Sequence, residues 1–412
     1  MAARQRIRPA FALLAAAALG GLAGGCGTTF KLPTEIRAKS VPPGQGTYHL
    51  DATWKSGMAN IQDILLTPSG ELFMVFQDPA TGRGEVRQYP LLNPVPLSTT
   101  FPGLLNPTAI CFGGNRIFVL DQGDSSAARS DFRSVYPTSP DKTCEYTTEY
   151  DADVDRKLTV AWGFSRPITN VASYWHVREY LLDGTPVGSF TDTVFAWVSG
   201  VAADASGRVH VAGVIMYLDL DPYGGRTLAP RSRIRSYVRG GGDRFVVTDD
   251  PLSPQWRRDP GHVILDGTGF GSTKDPRGMQ WASPRGPALY FAEAGNKQVQ
   301  RYGDPVGGPR SFKLDYGGSG ADSAFSRPVD VAVDSAGYIY VVDAGANAGE
   351  NLRVLRYDPE GIFVQRVDRT PDDDLPPARP PLTRPVAVAA NNRQVYIADR
   401  GAAQVLRFRR LD

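Results

Sequence analysis

The stretch Pro385–Leu406, PVAVAANNRQVYIADRGAAQVL, nearly repeats Pro328–Leu355, PVDVAVDSAGYIYVVDAGANAGENLRVL. Each has two apolar runs joined by a short polar turn, and each second run stops at an Asp followed by x-Gly. A further element recurs after such runs: Val or Ile, two residues, then Tyr or Phe. It stands at Val86–Tyr89, Val177–Tyr180, Ile234–Tyr237, Val299–Tyr302, Val354–Tyr357 and Val405–Phe408. Upstream of these lie paired runs: Ile64–Thr67 with Leu72–Phe76, Ala109–Phe112 with Ile117–Leu120, Val201–Asp204 with Val209–Gly213, Met279–Ala282 with Leu289–Ala292, Val331–Asp334 with Tyr338–Val342, and Ala387–Ala390 with Val395–Ala398. Turn residues separate the members of each pair, so each reads as a β-hairpin. By length alone 412 residues suggest two or three domains. The repeat instead makes most of the chain one array of small β units. The many Gly (44) and Pro (33) fit an array so rich in turns.

In a strand, positions i and i+3 point to opposite faces. The recurring Val and Tyr are both large and apolar, so both faces of that strand are expected to be buried. Small sheets stacked face to face around an axis bury strands in this way. Here the chain resembles the NHL-repeat β-propeller family. The matching residues are the Pro-led inner strands at Pro107, Pro328 and Pro385, and the Asp- or Glu-x-Gly at Asp121, Glu293, Asp343 and Asp399. The turns YLLDG (Tyr180–Gly184) and YDPEG (Tyr357–Gly361) match as well. Blades one and three depart, with Gln77 and Gly213 where the acid stands elsewhere. The resemblance implies an all-β, six-bladed propeller over residues 47–412. The last repeat lacks room for a fourth strand, so Gly46–Trp54 is expected to pair in the last blade and close the ring. Blade two carries an insertion at about 122–174, and blade three has long links at Val214–Arg233 and Arg239–Arg277. In propellers of this kind the links from second to third strand lie on one face, the top face, where ligands usually bind.

The N-terminus reads as an export segment. Arg4, Arg6 and Arg8 precede the apolar run FALLAAAALGGLAGG and then Cys26. That run is short and Gly-rich beside the roughly 20 apolar residues of a membrane span. LAGGC (Leu22–Cys26) resembles the bacterial lipobox, with Ala23 where that motif usually has Leu. The resemblance implies that residues 1–25 are removed as a signal peptide and that Cys26 is lipidated, anchoring the protein in the cell envelope. Residues 26–46 follow as a tether, which as a flexible coil of about twenty residues reaches on the order of 25 Å. Removal of residues 1–25 takes three Arg and no acid, leaving 42 basic against 43 acidic residues, a net charge of −1. That balance argues against nucleic acid as a partner. The expected partners are the membrane, through the lipid, and an envelope protein, peptide or glycan.

Catalytic motifs are scarce. The four histidines, His49, His176, His210 and His262, have no metal-ligand spacing, and neither H-E-x-x-H, C-x-x-C nor G-x-S-x-G occurs. Asp151, Asp153 and Asp155 alternate, but an EF-hand would need Gly and Glu where Arg156 and Trp162 stand. They read as a solvated loop, with Ca²⁺ or another divalent metal as the alternative. Asp63 and Asp330 occupy one repeat position, whose equivalents are Ala109, Gly200, Gly278 and Ala387. In resembling propellers that hydrolyse lactones, residues near that level hold a central metal. Two carboxylates leave such a site short, so no cofactor is expected and strand capping is the favoured role. Tyr217, Asp219 and Asp221 form either a ligand-facing lip or a surface turn. Trp175, with Tyr150, Trp162 and Tyr174, offers rings that stack on a ligand or pack the insertion.

Cys111 and Cys144 are expected to form a disulfide, two buried thiols being the alternative. The roughly 33-residue loop so closed would stabilise by about 3–4 kcal/mol. The residues therefore point to a lipid-anchored ligand-binding or interaction scaffold without an assembled catalytic set. A metal-dependent hydrolase or lyase resembling the propeller lactonases is the rival reading.

Overall fold

The computed structural model describes residues 48–77, 83–123, 145–151, 156–162, 175–192, 195–220, 226–241, 246–248, 255–267, 272–284, 286–303, 312–313, 325–345, 352–368 and 382–410. All lie in the second of the chain's two units, Thr47–Asp412. The signal segment, Cys26, the tether, Cys144, Asp153, Asp155, Tyr174 and Asp221 lie outside the described residues.

Strand β1 is Tyr48–Trp54. Blade one holds β2 (Ile61–Leu66), β3 (Leu72–Gln77) and β4 (Gly84–Tyr89). Blade two starts with β5 (Pro107–Gly113) and β6 (Arg116–Asp121). Its insertion contains a hairpin, β7 (Glu145–Asp151) and β8 (Arg156–Trp162), and the blade resumes with β9 (His176–Tyr180) and β10 (Pro186–Asp192). Blade three holds β11 (Phe195–Ala203), β12 (Val209–Leu220) and β13 (Arg226–Arg239). Then β14 (Val246–Thr248) crosses to pair with β10, and β15 (Trp256–Asp266) with β16 (Ser272–Thr273) completes blade three. Blade four is β17 (Pro276–Ala282), β18 (Ala288–Glu293), β19 (Gln298–Gly303) and β20 (Phe312–Lys313). Blade five is β21 (Pro328–Val333), β22 (Ile339–Ala344), β23 (Leu352–Tyr357) and β24 (Phe363–Arg366). Blade six is β25 (Pro385–Ala390), β26 (Gln394–Asp399) and β27 (Gln404–Arg410). There β1 lies outermost, antiparallel to β27, with Tyr48 opposite Arg410 and Trp54 opposite Val405.

The six first strands form a ring. β2 touches β5, then β11, β17, β21 and β25 follow, and β25 touches β2. The molecule is an all-β, six-bladed propeller. Both faces of the third strands are buried as expected except in blade four, where Tyr302 is half-buried: Val354 and Tyr357 are fully inaccessible, as are Ile234 and Tyr237 to within 1%. Aromatic rings mesh between blades: Trp54 of blade six meets Tyr89 of blade one at 6.0 Å and Tyr396 of its own blade at 5.9 Å.

Two features depart from the sequence reading. The link Val214–Arg233 is no loop, because β12 and β13 run on as one long hairpin paired from Val209–Tyr237 out to Leu220–Arg226. The acidic segment at Asp151 ends strand β7, and β8 pairs with β12 through Val160 and Tyr217, so the insertion hairpin joins blade three's sheet.

The repeated acid is a clasp. Asp121 accepts the N–H groups of Leu105 (3.0 Å) and Asn106 (2.7 Å). Asp343 accepts those of Ser326 (3.0 Å) and Arg327 (2.7 Å), and Asp399 those of Thr383 (2.9 Å) and Arg384 (2.7 Å). Glu293 accepts that of Lys274 (3.1 Å). Each carboxylate, fully buried at the end of a second strand, fixes the chain entering the first strand of its own blade. Arg353 pairs with Asp343 at 3.1 Å and supplies the countercharge that burial demands. Asp343→Ala should cost about 3–5 kcal/mol, since it strands a buried guanidinium and two backbone donors. Urea unfolding midpoints of the two proteins check this.

Candidate ligand-binding cup

All six first strands run in the same sense, so their hairpin turns gather at one end of the ring. Adjacent turns touch there: Ser335 and Asn392 hydrogen-bond at 2.9 Å, and Gly114 lies against Gly207. Between the turns opens a cup of about 750 Å³, bounded by all six blades. That size suits a small organic ligand. Its wall is mainly apolar, with Ile64, Phe112, Val201, Trp281, Val331 and Val388 among its lining.

Each first strand carries a register shift near its start, and one repeat position sits at that shift. Asp63 pairs with Val75, Ala109 with Leu120, Gly200 with Ala212, Asp330 with Val342 and Ala387 with Ala398. In blade four the shift spans Pro276 to Met279 and includes Gly278. The structure therefore brings Asp63 and Asp330 to one level of the ring, at the end of the cup away from the turns. They do the same local work. Asp63 accepts its neighbour Ile64 N–H (2.8 Å) and, across the blade boundary, Ile110 N–H (2.8 Å). Asp330 accepts Val388 N–H of blade six at 2.8 Å. The first strand's inner edge has no further strand to bond, and these carboxylates take two of its free donors. Glycine elsewhere at this level reflects crowding: a Cβ on Gly278 would stand 1.8 Å from Asp330 Oδ1, and one on Gly200 2.1 Å from the Arg277 carbonyl.

Burial pushes the Asp63 carboxyl up to about 7, against the pull of its two backbone N–H donors. Burial also lifts Asp330 well above the usual carboxylate range, and the charge of Asp63 adds to the rise. Cys111 is a buried thiol with no disulfide partner among the described residues, raised by burial and then by the charge of Asp63. The cup thus joins the carboxyl pair Asp63 and Asp330, which the sequence places at one repeat position, with Cys111, which it assigns to a disulfide. Cys111's expected disulfide partner lies outside the described residues. Among the described residues, no three His, Cys, Asp or Glu side chains gather as a metal site.

The remaining expected residues lie elsewhere. Tyr217 and Asp219 stand on the extended part of β12, beyond the ring at the end opposite the turns. Trp175 is 4% exposed and packs edge-on against Phe195 at 5.8 Å, in the core of blades two and three. The sequence located the ligand face by its long links, whereas the cup opens at the other end of the ring. The residues missed were the wall itself, Phe112 and Trp281 above all, because a continuous apolar run gives no sign of which side chains line a cavity.

No protein-family model and no curated protein matches the chain. Solved structures are similar in outline. A virginiamycin B lyase from Staphylococcus aureus shares 11% identity over 88% of this chain and 100% of its own, with a TM-score of 0.39. A gluconolactonase-like protein shares 12% over 89% and 92%, with a TM-score of 0.39. An auxiliary nutrient binding protein from Bacteroides ovatus shares 13% over 86% and 70%, with a TM-score of 0.43. Likenesses this distant say nothing of this chain's activity.

The raised carboxyls have a consequence for stability. The folded chain holds a proton on Asp63 between its unfolded value of 3.8 and about 7, where the unfolded chain has lost it. This contribution is therefore complete below about 3.8 and is lost as pH rises through about 7. Asp330 acts in the same direction. Denaturant midpoints at pH 5 and pH 8 should differ less in Asp63→Asn than in the parent.

Proposed function

We propose that the protein is an exported, lipid-anchored binding propeller whose cup takes a small, mainly apolar ligand with one cationic end. The cup carries this reading: apolar walls from six blades surround two carboxyls, and the ionised form of Asp63 is within reach at neutral pH. An apolar wall supplies affinity by burial, and a few polar groups fix orientation. A cation beside Asp63 favours its ionised form and so lowers its pKa on binding. Calorimetry with n-hexylammonium and n-hexanol at pH 7.5 tests the idea. The ammonium should bind about tenfold tighter, and Asp63→Asn should remove the difference. Equal affinities in the parent protein contradict it. The rival, a metal-dependent hydrolase, requires instead a stoichiometric divalent ion that Asp330→Ala releases.

Two further parts of the proposal concern the N-terminus. The lipobox-like LAGGC supports lipidation at Cys26, and Cys26→Ser should move the protein from the detergent phase to the aqueous phase. The pairing of β1 with β27 supports ring closure by the N-terminal strand. Deleting residues 46–54 should then lower the melting temperature far more than deleting residues 31–43, whereas equal losses contradict closure.

A further inference from the structure

Among the described residues, four of the five strongly exposed large apolar side chains lie at the mouth end of the cup. Leu92, Val95 and Leu97 are 69%, 61% and 47% exposed, and Ile362 is 52% exposed. Their placement follows from strand direction. β4 ends at Tyr89 opposite Leu72, just past a first hairpin turn, so the chain from Pro90 onward leaves at the turn end. Leu97 N–H still bonds Gln88 O at 2.8 Å, one residue in from that end. Likewise β23 ends at Tyr357 opposite Ile339, and Ile362 sits in the turn that follows. The first three belong to an exposed run from Leu92 to Ser98, and no charged residue occurs between Arg87 and Arg116. Isolated exposed apolar residues are ordinary, but three in six positions with Pro94 and Pro96 between them form a patch. Trp197, the fifth, stands at the opposite end of the ring, at the start of β11.

Blade six separates these two outcrops, and its turn end is basic. Arg393 and Arg409 are exposed, Arg410 is half-buried beside them, and Arg410 N–H bonds Arg393 O at 2.8 Å. No acid lies among the described residues at that end of blade six. Of the neighbouring acids, Asp358 accepts N–H groups within its own turn, Glu71 bonds Thr67 and Ser69, and Glu360 is exposed. The chain enters β1 here as well, because Tyr48 pairs with Arg410. The start of β1, Tyr48, therefore lies on the face that carries the apolar patches, the arginines and the cup mouth.

We propose that this face rests on a lipid bilayer bearing anionic headgroups. Leu92, Val95, Leu97 and Ile362 enter the interface, and Arg393 and Arg409 meet the phosphates. Apolar side chains flanking basic ones are the composition that interfacial binding uses. The proposal builds on the lipid-anchored reading, since an acyl chain at Cys26 reaches a bilayer on this side through about twenty residues, on the order of 25 Å as a coil. The cup then opens toward the membrane, and its ligand class is an amphiphile that partitions from the bilayer.

The test uses the full chain purified from membranes, in a Cys144→Ser background, with a fluorophore attached through Val95→Cys, Ile362→Cys or Trp197→Cys. Each protein is mixed with vesicles of phosphatidylcholine and phosphatidylglycerol carrying a doxyl-labelled lipid as quencher. Labels at 95 and 362 should be quenched about twofold or more relative to 197, and Arg393→Glu with Arg409→Glu should weaken that contrast. Flotation that survives high salt with no contrast between labels keeps the anchor and overturns the docking face. Flotation lost in high salt, with the contrast present at low salt, removes the anchor and supports the face. Absence of flotation overturns both. A label at 95 that shifts to the blue without vesicles as protein concentration rises shows that a second copy covers the patch, which also overturns the proposal.

Discussion

At the end of the second strand in blades two, four, five and six, a fully buried carboxylate takes backbone N–H groups from the chain entering the first strand. That bond aims the first strand at the axis, where it has no further strand on its inner side. A buried charge is tolerable only when its acceptor sites are filled. Asp343 has Arg353, Asp121 has Arg178 at 2.8 Å, Glu293 has Gln298 and Gln300, and Asp399 has the Thr383 hydroxyl at 2.9 Å. Blade one, with Gln77 in place of the acid, bonds Asn106 of the next blade's entry instead. The clasp is thus local in blades two, four, five and six and passes between blades at Gln77.

Asp63 and Asp330 apply the same chemistry one level deeper, between neighbouring blades. Their oxygens take N–H groups of the next first strand, so each ties two blades together at the ring's inner edge. In the proposed function a structural role and a binding role coincide in the same carboxyls. The donors that hold them are backbone groups of rigid strands, so they present a fixed face to the cup. Their burial among apolar walls raises their proton affinity and makes the cup's charge sensitive to what occupies it.

The repeat was legible because each element recurs with its own chemistry: Pro at the first strand, acid-x-Gly after the second, and Val-x-x-Tyr in the third. The equivalence of Asp63 with Asp330, and with Ala109, Gly200, Gly278 and Ala387, followed from the same register. Blade three was misread where its strands outgrow the repeat. Val214–Leu220 is as strand-like as any run nearby, but the expected blade length made it a loop. The β7–β8 hairpin was hidden for a different reason, since the alternate acids of EYDADVD resemble a solvated loop until a partner strand is present. For Trp175 the sequence leaves ligand stacking and packing both open, because it shows size and aromaticity but not the Phe195 ring against which Trp175 packs. The cup lies at the end of the ring opposite the long links by which the sequence places the ligand face, because the shared direction of the first strands gathers the hairpin turns around it.

The claim on which the cup's chemistry depends is that Asp63 and Asp330 share one low-dielectric space. Carbon-13 NMR of their side-chain carboxyls across a pH titration addresses it directly. Asp63 should titrate near 7 and Asp330 above the ordinary carboxylate range, and Asp63→Asn should lower the Asp330 midpoint while leaving it elevated, because burial is the larger cause. Two independent midpoints near the unperturbed value of 3.8, unmoved by the substitution, would contradict the account.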